Sequence, residues 1–169
     1  MTYECEKVGL EFFESAPTIH KATVEIDATP DDVFAVLLDG HAWTQWAFPI
    51  TGVEWTSGFP LEVGSTRTVH MRGGLDGYEE FIAYEHAKRM AFRFNEASKD
   101  NLKAFAEDYQ VSDLGGGRSR VEWTMAMDSG GGSGLRAKVM GPVMSFAVKR
   151  MLKKFGRLVD STPSTEAAK

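Results

Sequence analysis

Apolar and polar residues alternate along His20–Ile26. His20, Ala22, Val24 and Ile26 share one face, and Lys21, Thr23 and Glu25 the other. This predicts a half-buried strand over 19–27. The period then becomes helical. Thr29 is placed to cap, Pro30 suits a first helical turn, and Asp31 and Asp32 favour the positive end of the helix dipole. Val33, Phe34, Val36, Leu37 and Leu38 form the apolar side of this helix, and Gly40 is expected to end it.

After Gly64 the period returns to two. Antiparallel strands are predicted over about 65–71, 78–86, 89–96, 103–113 and 118–128, joined by turns such as RGGLDG and LGGGRS. A tight turn near 86–88 would set Tyr84 opposite Met90 and Ile82 opposite Phe92. One face of this sheet then collects Met90, Phe92, Phe94, Phe105, Tyr109, Val111, Val121, Trp123, Met125 and Met127, as a one-sided antiparallel sheet requires. Something must cover so many rings and thioethers. The one long candidate is the segment 135–159, whose second half is amphipathic. Val148, Met151, Leu152, Phe155, Leu158 and Val159 share one arc, and the basic residues the other. Gly141-Pro142 is expected to kink or break this helix and so to turn an earlier stripe, Leu135, Val139, Val143 and Phe146, inward.

Composition narrows the classes. The chain has 169 residues, 43% of them hydrophobic, and a single cysteine. It can bury a core without metal or disulfide, and a reducing, cytoplasmic setting is expected. MTYECEKVG lacks the basic and apolar regions of a signal peptide. Residues 1–17 and the tail 161–169 are expected to be loose, flanking one ligand-binding domain over 18–160. Net charge is −5, which disfavours general nucleic-acid binding. The segment 133–159, however, holds seven basic residues and no acid.

The opening HKATVEIDATPDDVFAVLLD, followed by Trp43 and Trp46, then YEEFIAYEHAKRMAFRF, GGGRSRVEWTMAMD and a final MLKKFGRLV resemble the START-like helix-grip (SRPBCC) superfamily, in particular its polyketide cyclase/dehydrase and lipid-transport branch. The likeness spans about residues 19–159. It implies an α+β fold: a curved antiparallel sheet of about seven strands wrapped on a long C-terminal helix, with two short helices after the first strand. It also implies a hydrophobic cavity but no particular ligand. The family often has proline at the turn that here reads His86-Ala87-Lys88.

Within that frame, ligand contacts are expected from Trp43, Trp46, Tyr84, Phe92, Phe94, Phe105, Tyr109, Trp123 and Met125, and from Met140, Met144 and Met151 on the helix. The two tryptophans after the first helix either plug the core or line the cavity mouth. Three charged residues also alternate onto the inner face: Arg67, Glu80 and Glu107. They make either a structural ion pair or a ligand-orienting group. Glu107 and Tyr109 are the candidates for acid–base catalysis. His20 points inward and His70 outward, and no histidine pair has metal-ligand spacing, so neither metal nor cofactor is expected. The glycine runs lack the lysine or helix start of a phosphate loop.

Two main readings follow: a carrier or sensor of a hydrophobic lipid, polyketide or aromatic metabolite, and a polyketide cyclase using the same cavity. A third is an interaction module in which Lys149, Arg150, Lys153, Lys154 and Arg157 meet an anionic membrane or acidic protein. Monomer and homodimer both remain open.

Overall fold

The computed structural model describes the backbone of residues 1–130 and 135–163 and the side chains of 1–130 and 141–163. The side chains of Leu135, Val139 and Met140 lie outside the described residues, as does the tail from 164. Expectations placed on them lie outside with them.

The elements run β1 (Tyr3–Glu4), α1 (Phe12–Ser15), β2 (Thr18–Ile26), α2 (Pro30–Leu38), α3 (Gly40–Trp46), β3 (Ile50–Trp55), β4 (Thr66–Met71), β5 (Leu75–Glu85), β6 (Arg89–Ala97), β7 (Ala104–Gly115), β8 (Arg118–Asp128) and α4 (Leu135–Ser161). Seven strands form one antiparallel sheet in the order β2-β8-β7-β6-β5-β4-β3, and β1 pairs with β6. The sheet curls around α4, giving the α+β helix-grip architecture.

Local chemistry explains the opening. Thr29 Oγ1 accepts the Asp32 N–H at 3.3 Å at the start of α2, and Asp39 accepts the His41 N–H at 2.9 Å at the start of α3. Trp43 donates its indole N–H to Leu37 O at 2.8 Å, satisfying a carbonyl that the end of α2 leaves free. The glycine turn at 115–117 has positive φ at all three residues, which closes the β7–β8 hairpin.

Three expectations need correction. The first concerns strand parity. Glu80 was expected on the inner face with Tyr78 and Ile82, but the buried, inward carboxylate is Glu79. Tyr84 does pair with Met90, yet the residue opposite Phe92 is Phe81, because a bulge between Phe81 and Ala83 takes up Ile82. One extra residue inverts the alternation of everything before it. Glu80 therefore lies outside, accepting from Arg93 at 3.1 Å and Asn95 at 2.6 Å.

The second concerns residues 1–17, expected to be loose: most are exposed, but Cys5, Phe12 and Phe13 are buried. Phe12 and Phe13 are buried against Ala91, Ala104, Ala106 and Ala126 on the outer face of the sheet. β6 and β7 pair only from Arg93–Ala106 to Arg89–Gln110, so the far end of β6 has a free edge. β1 fills it, and Glu6 continues with an N–H to Lys103 O at 2.8 Å.

The third concerns α4, which runs unbroken through Gly141-Pro142. Its buried side carries Val148, Met151, Leu152, Phe155 and Val159. With the ~100° step per residue maintained, Phe146 falls almost opposite Val148. Val143 and Phe146 are accordingly exposed, not turned inward. Gly156 permits close approach of α4 to β2, where a Cβ would sit 3.3 Å from Val24.

Candidate functional site

Between the inner face of the sheet, α3 and α4 lies a cavity of about 300 Å³. This is the lower end of the ~300–1,000 Å³ range of small-molecule sites. Trp43 and Trp46 come from α3, Phe94 from β6, Phe105, Glu107 and Tyr109 from β7, Trp123 and Met125 from β8, and Met144 and Met151 from α4. Ten expected residues thus meet around one space. Sequence reasoning missed the opposite rim: Pro49, Ile50, Met71, Arg72 and Leu75 around β3–β5, and Asn101 and Leu102 in the β6–β7 connection; Met127, placed on the inner face, also lines it. The apolar Ile50 and Val53 flanking Gly52 were the available sign of β3, an element the sequence reading did not propose.

The walls are aromatic and mutually braced. Trp123 stacks on Tyr109 with centroids 5.4 Å apart, and Trp46 meets Trp123 edge-on at 5.8 Å. Trp43 and Trp46 are each 1% exposed. Both therefore plug the core and border the cavity. Phe94 packs on Phe105 at 4.6 Å. Its ring also crosses Gly77, where an added Cβ would lie 2.2 Å away.

The polar groups fall into two sets. Glu107 lines the cavity and accepts the Tyr109 hydroxyl at 2.8 Å. Burial pushes its carboxyl up from 4.5 to about 8, with Glu79 adding repulsion; the Tyr109 bond, Arg67 and the Trp123 indole oppose this. At neutral pH it is therefore predominantly the un-ionised acid. Burial and Glu107 together raise the Tyr109 phenol well above its ordinary value.

The second set lies behind the wall. Arg67 donates Nε–H to Glu79, its register partner across β4 and β5. Its guanidinium lies 4.4 Å from the ring centroids of both Trp43 and Phe92. Desolvation pushes the Glu79 carboxyl up and Arg67 pulls it down. Arg67, Phe92 and Tyr84 do not line the cavity. Phe92 is buried under Arg67, and Tyr84 packs on Phe34 and Phe81. Glu80 is on the far side of the sheet.

Two further features complete the site. His20 is buried between β2 and α4, with Nδ1 2.8 Å from Ser145 Oγ, and burial lowers its pKa. Among the described residues the buried indole N–H of Trp46 finds no hydrogen-bond partner, whereas that of Trp123 interacts with the Glu107 carboxyl. Leaving a buried donor unpaired costs ~1–3 kcal/mol. Among the described residues no group of three or more His, Cys, Asp or Glu gathers as a metal site would require. None of the described helices is long and apolar enough to cross a membrane. Lys149, Arg150, Lys153, Lys154 and Arg157 are exposed on the side of α4 turned from the cavity.

The family described as polyketide cyclase / dehydrase and lipid transport matches residues 18–159. A protein of Mycobacterium tuberculosis (strain ATCC 25618 / H37Rv), described as uncharacterized, is 46% identical over 159 residues, covering 94% of this chain and 95% of its own. Among solved structures, a START superfamily protein from Mycobacterium smegmatis has a TM-score of 0.63 at 11% identity, over 84% of this chain and 94% of that one. The ZhuI aromatase/cyclase from Streptomyces sp. R1128 has a TM-score of 0.66 at 15% identity, over 84% and 93%. At those identities the structural likeness speaks to the fold alone, whereas the sequence match covers the sheet and its helix from end to end. This chain belongs to the polyketide cyclase / dehydrase and lipid transport family.

Proposed function

We propose that the protein binds a hydrophobic small molecule in the cavity beneath α4, as a carrier or sensor. The observation that carries this reading is the space itself. Rings and thioethers from four strands and two helices converge and leave about 300 Å³ between them. Natural interiors are otherwise packed to crystal-like density, so a chamber of this size has a use. The methionines at 125, 127, 144 and 151 give the wall a surface that adapts to more than one shape.

The test is direct. Freshly purified protein is examined by native mass spectrometry for a retained apolar guest, and N-phenyl-1-naphthylamine is titrated as a neutral fluorescent probe. The proposal expects saturable enhancement that Met151→Trp abolishes by filling the cavity. Absence of both a retained guest and a saturable, Met151-sensitive signal would sink it.

One observation favours a second reading, an aromatase/cyclase-like enzyme. Glu107 is a neutral acid in the cavity wall, hydrogen-bonded to Tyr109, and so can donate a proton to an enclosed substrate. Glu107→Gln separates the two readings. A carrier keeps its affinity; an enzyme keeps binding and loses turnover on a poly-ketone chain.

A further inference from the structure

The outward face of α4 carries charge that the fold does not answer. Arginines on the sheet are held by carboxylates: Arg67 by Glu79, Arg89 by Asp108, Arg93 by Glu80, and both Arg118 and Arg120 by Glu25. On α4, Lys149, Arg150, Lys153, Lys154 and Arg157 are all exposed, and among the described residues none of them forms an ion pair. The segment 133–159 also holds no acid, although the chain as a whole has a net charge of −5.

The same face exposes two large apolar side chains, Phe146 at 67% and Val143 at 57%. With the helical step of ~100° per residue, Val143, Lys149, Arg150, Lys153 and Arg157 all point within about 60° of the direction of Phe146. Met144 and Met151, which border the cavity, point roughly 140–160° away from it. The helix therefore has two separate working sides. Its outer side runs for about 21 Å from Val143 to Arg157, apolar at the start and cationic over the rest.

We propose that this outer side of α4 seats the protein on an anionic lipid surface, with Phe146 and Val143 entering the interfacial layer and the five cations meeting lipid phosphates. The inference goes beyond the cavity reading and does not depend on it. A face of apolar and basic side chains without acids is the pattern of a helix that lies in the membrane interface. α4 is not long and apolar enough to cross a bilayer, so it lies on the surface rather than through it. An acidic protein fits less well. Protein interfaces have cores depleted of charge and are poor in lysine, whereas here three of five cations are lysines and two apolar side chains accompany them. A second copy of this chain would bring like charges together.

The test is flotation of the intact protein with phosphatidylcholine vesicles, with and without a third of phosphatidylglycerol. Binding is expected to be at least about tenfold tighter on the anionic vesicles and to weaken as salt is raised. Replacing Lys149, Lys153 and Arg157 together by Gln should lower that affinity at least about tenfold. Phe146→Ser should lower it about tenfold while leaving its salt dependence as it was. Both variants change exposed residues, and their thermal midpoints check the fold. Independently of those losses, the emission of a Phe146→Trp variant should shift to the blue on anionic vesicles; Trp43, Trp46 and Trp123 are buried and stay silent. Equal binding to both vesicles, or none to either, overturns the proposal. So does vesicle binding that is unaffected by Phe146→Ser with no spectral shift. Tight, salt-sensitive binding to soluble poly-glutamate without vesicle flotation overturns it in favour of an acidic protein partner.

Discussion

Glu107 and Arg67 show how two buried ionisable residues on one sheet face reach different states. Arg67 has a strand-neighbour carboxylate and two ring faces about its guanidinium. Glu107 has no cation bonded to it, so burial outweighs the Tyr109 bond and it holds its proton up to about pH 8. The consequence for stability has a definite sign. Between 4.5 and about 8 the folded chain binds a proton at Glu107 that the unfolded chain has released, so stability falls as pH rises through this window. Glu107→Gln should remove that slope and be the more stable form at pH 8 by on the order of 3 kcal/mol, read from urea midpoints at pH 5 and pH 8. For Arg67, removing one partner leaves the other charge buried. Arg67→Met should cost about 3–5 kcal/mol, and Glu79→Leu added to it should recover most of the loss in the same urea assay. Glu79 was not legible from sequence, because its facing depends on where the β5 bulge falls. Alternation counted back from Tyr84 gives Glu80, whereas strands without an intervening bulge, such as β8, read correctly.

At the scale of elements, the parts read correctly were those whose pattern is local: β2, α2 and the amphipathic half of α4. The parts misread depend on partners far along the chain. α1 is four residues long, and its Phe12 and Phe13 are buried because small alanines from β6, β7 and β8 leave room for them. No period inside residues 1–17 could reveal that. Phe13→Ala is expected to cost about 3 kcal/mol, with faster amide exchange in β7 and β8 as its signature. β2 and α4 are further tied by His20 and Ser145. Since burial lowers the His20 pKa, the unfolded chain binds the proton more readily, and stability should fall as pH drops below about 6.5. His20→Asn, able to keep a bond to Ser145, should flatten thermal midpoints between pH 6.5 and 5. The opposite slopes of His20 and Glu107 leave the weakly acidic range as the most favourable.

For the whole molecule, the fold was legible because the hydrophobic faces of β6, β7 and β8 agree with one another. The inner cavity wall was legible for the same reason. Its rim was not, because loops at 47–50, 71–75 and 101–102 carry no periodicity of their own. On the proposed reading a guest binds the folded state alone, so N-phenyl-1-naphthylamine at a hundred times its Kd should stabilise the protein by ~2.7 kcal/mol. Scanning calorimetry should show this shift in the unsubstituted chain and lose it in Met151→Trp. Leu102 and Asn101 at the rim adjoin Lys103, whose carbonyl accepts from Glu6 and whose ammonium lies 3.3 Å from the Glu6 carboxylate, while the Cys5 thiol donates to Leu102 O at 3.8 Å. A latch made from the first few residues thus fastens one lip of the container, yet it lies before the stretch 18–159 that the family shares. Trimming that latch should leave capacity much as it was and shorten the guest's dwell time, so that leakiness can diverge between relatives whose chambers are alike.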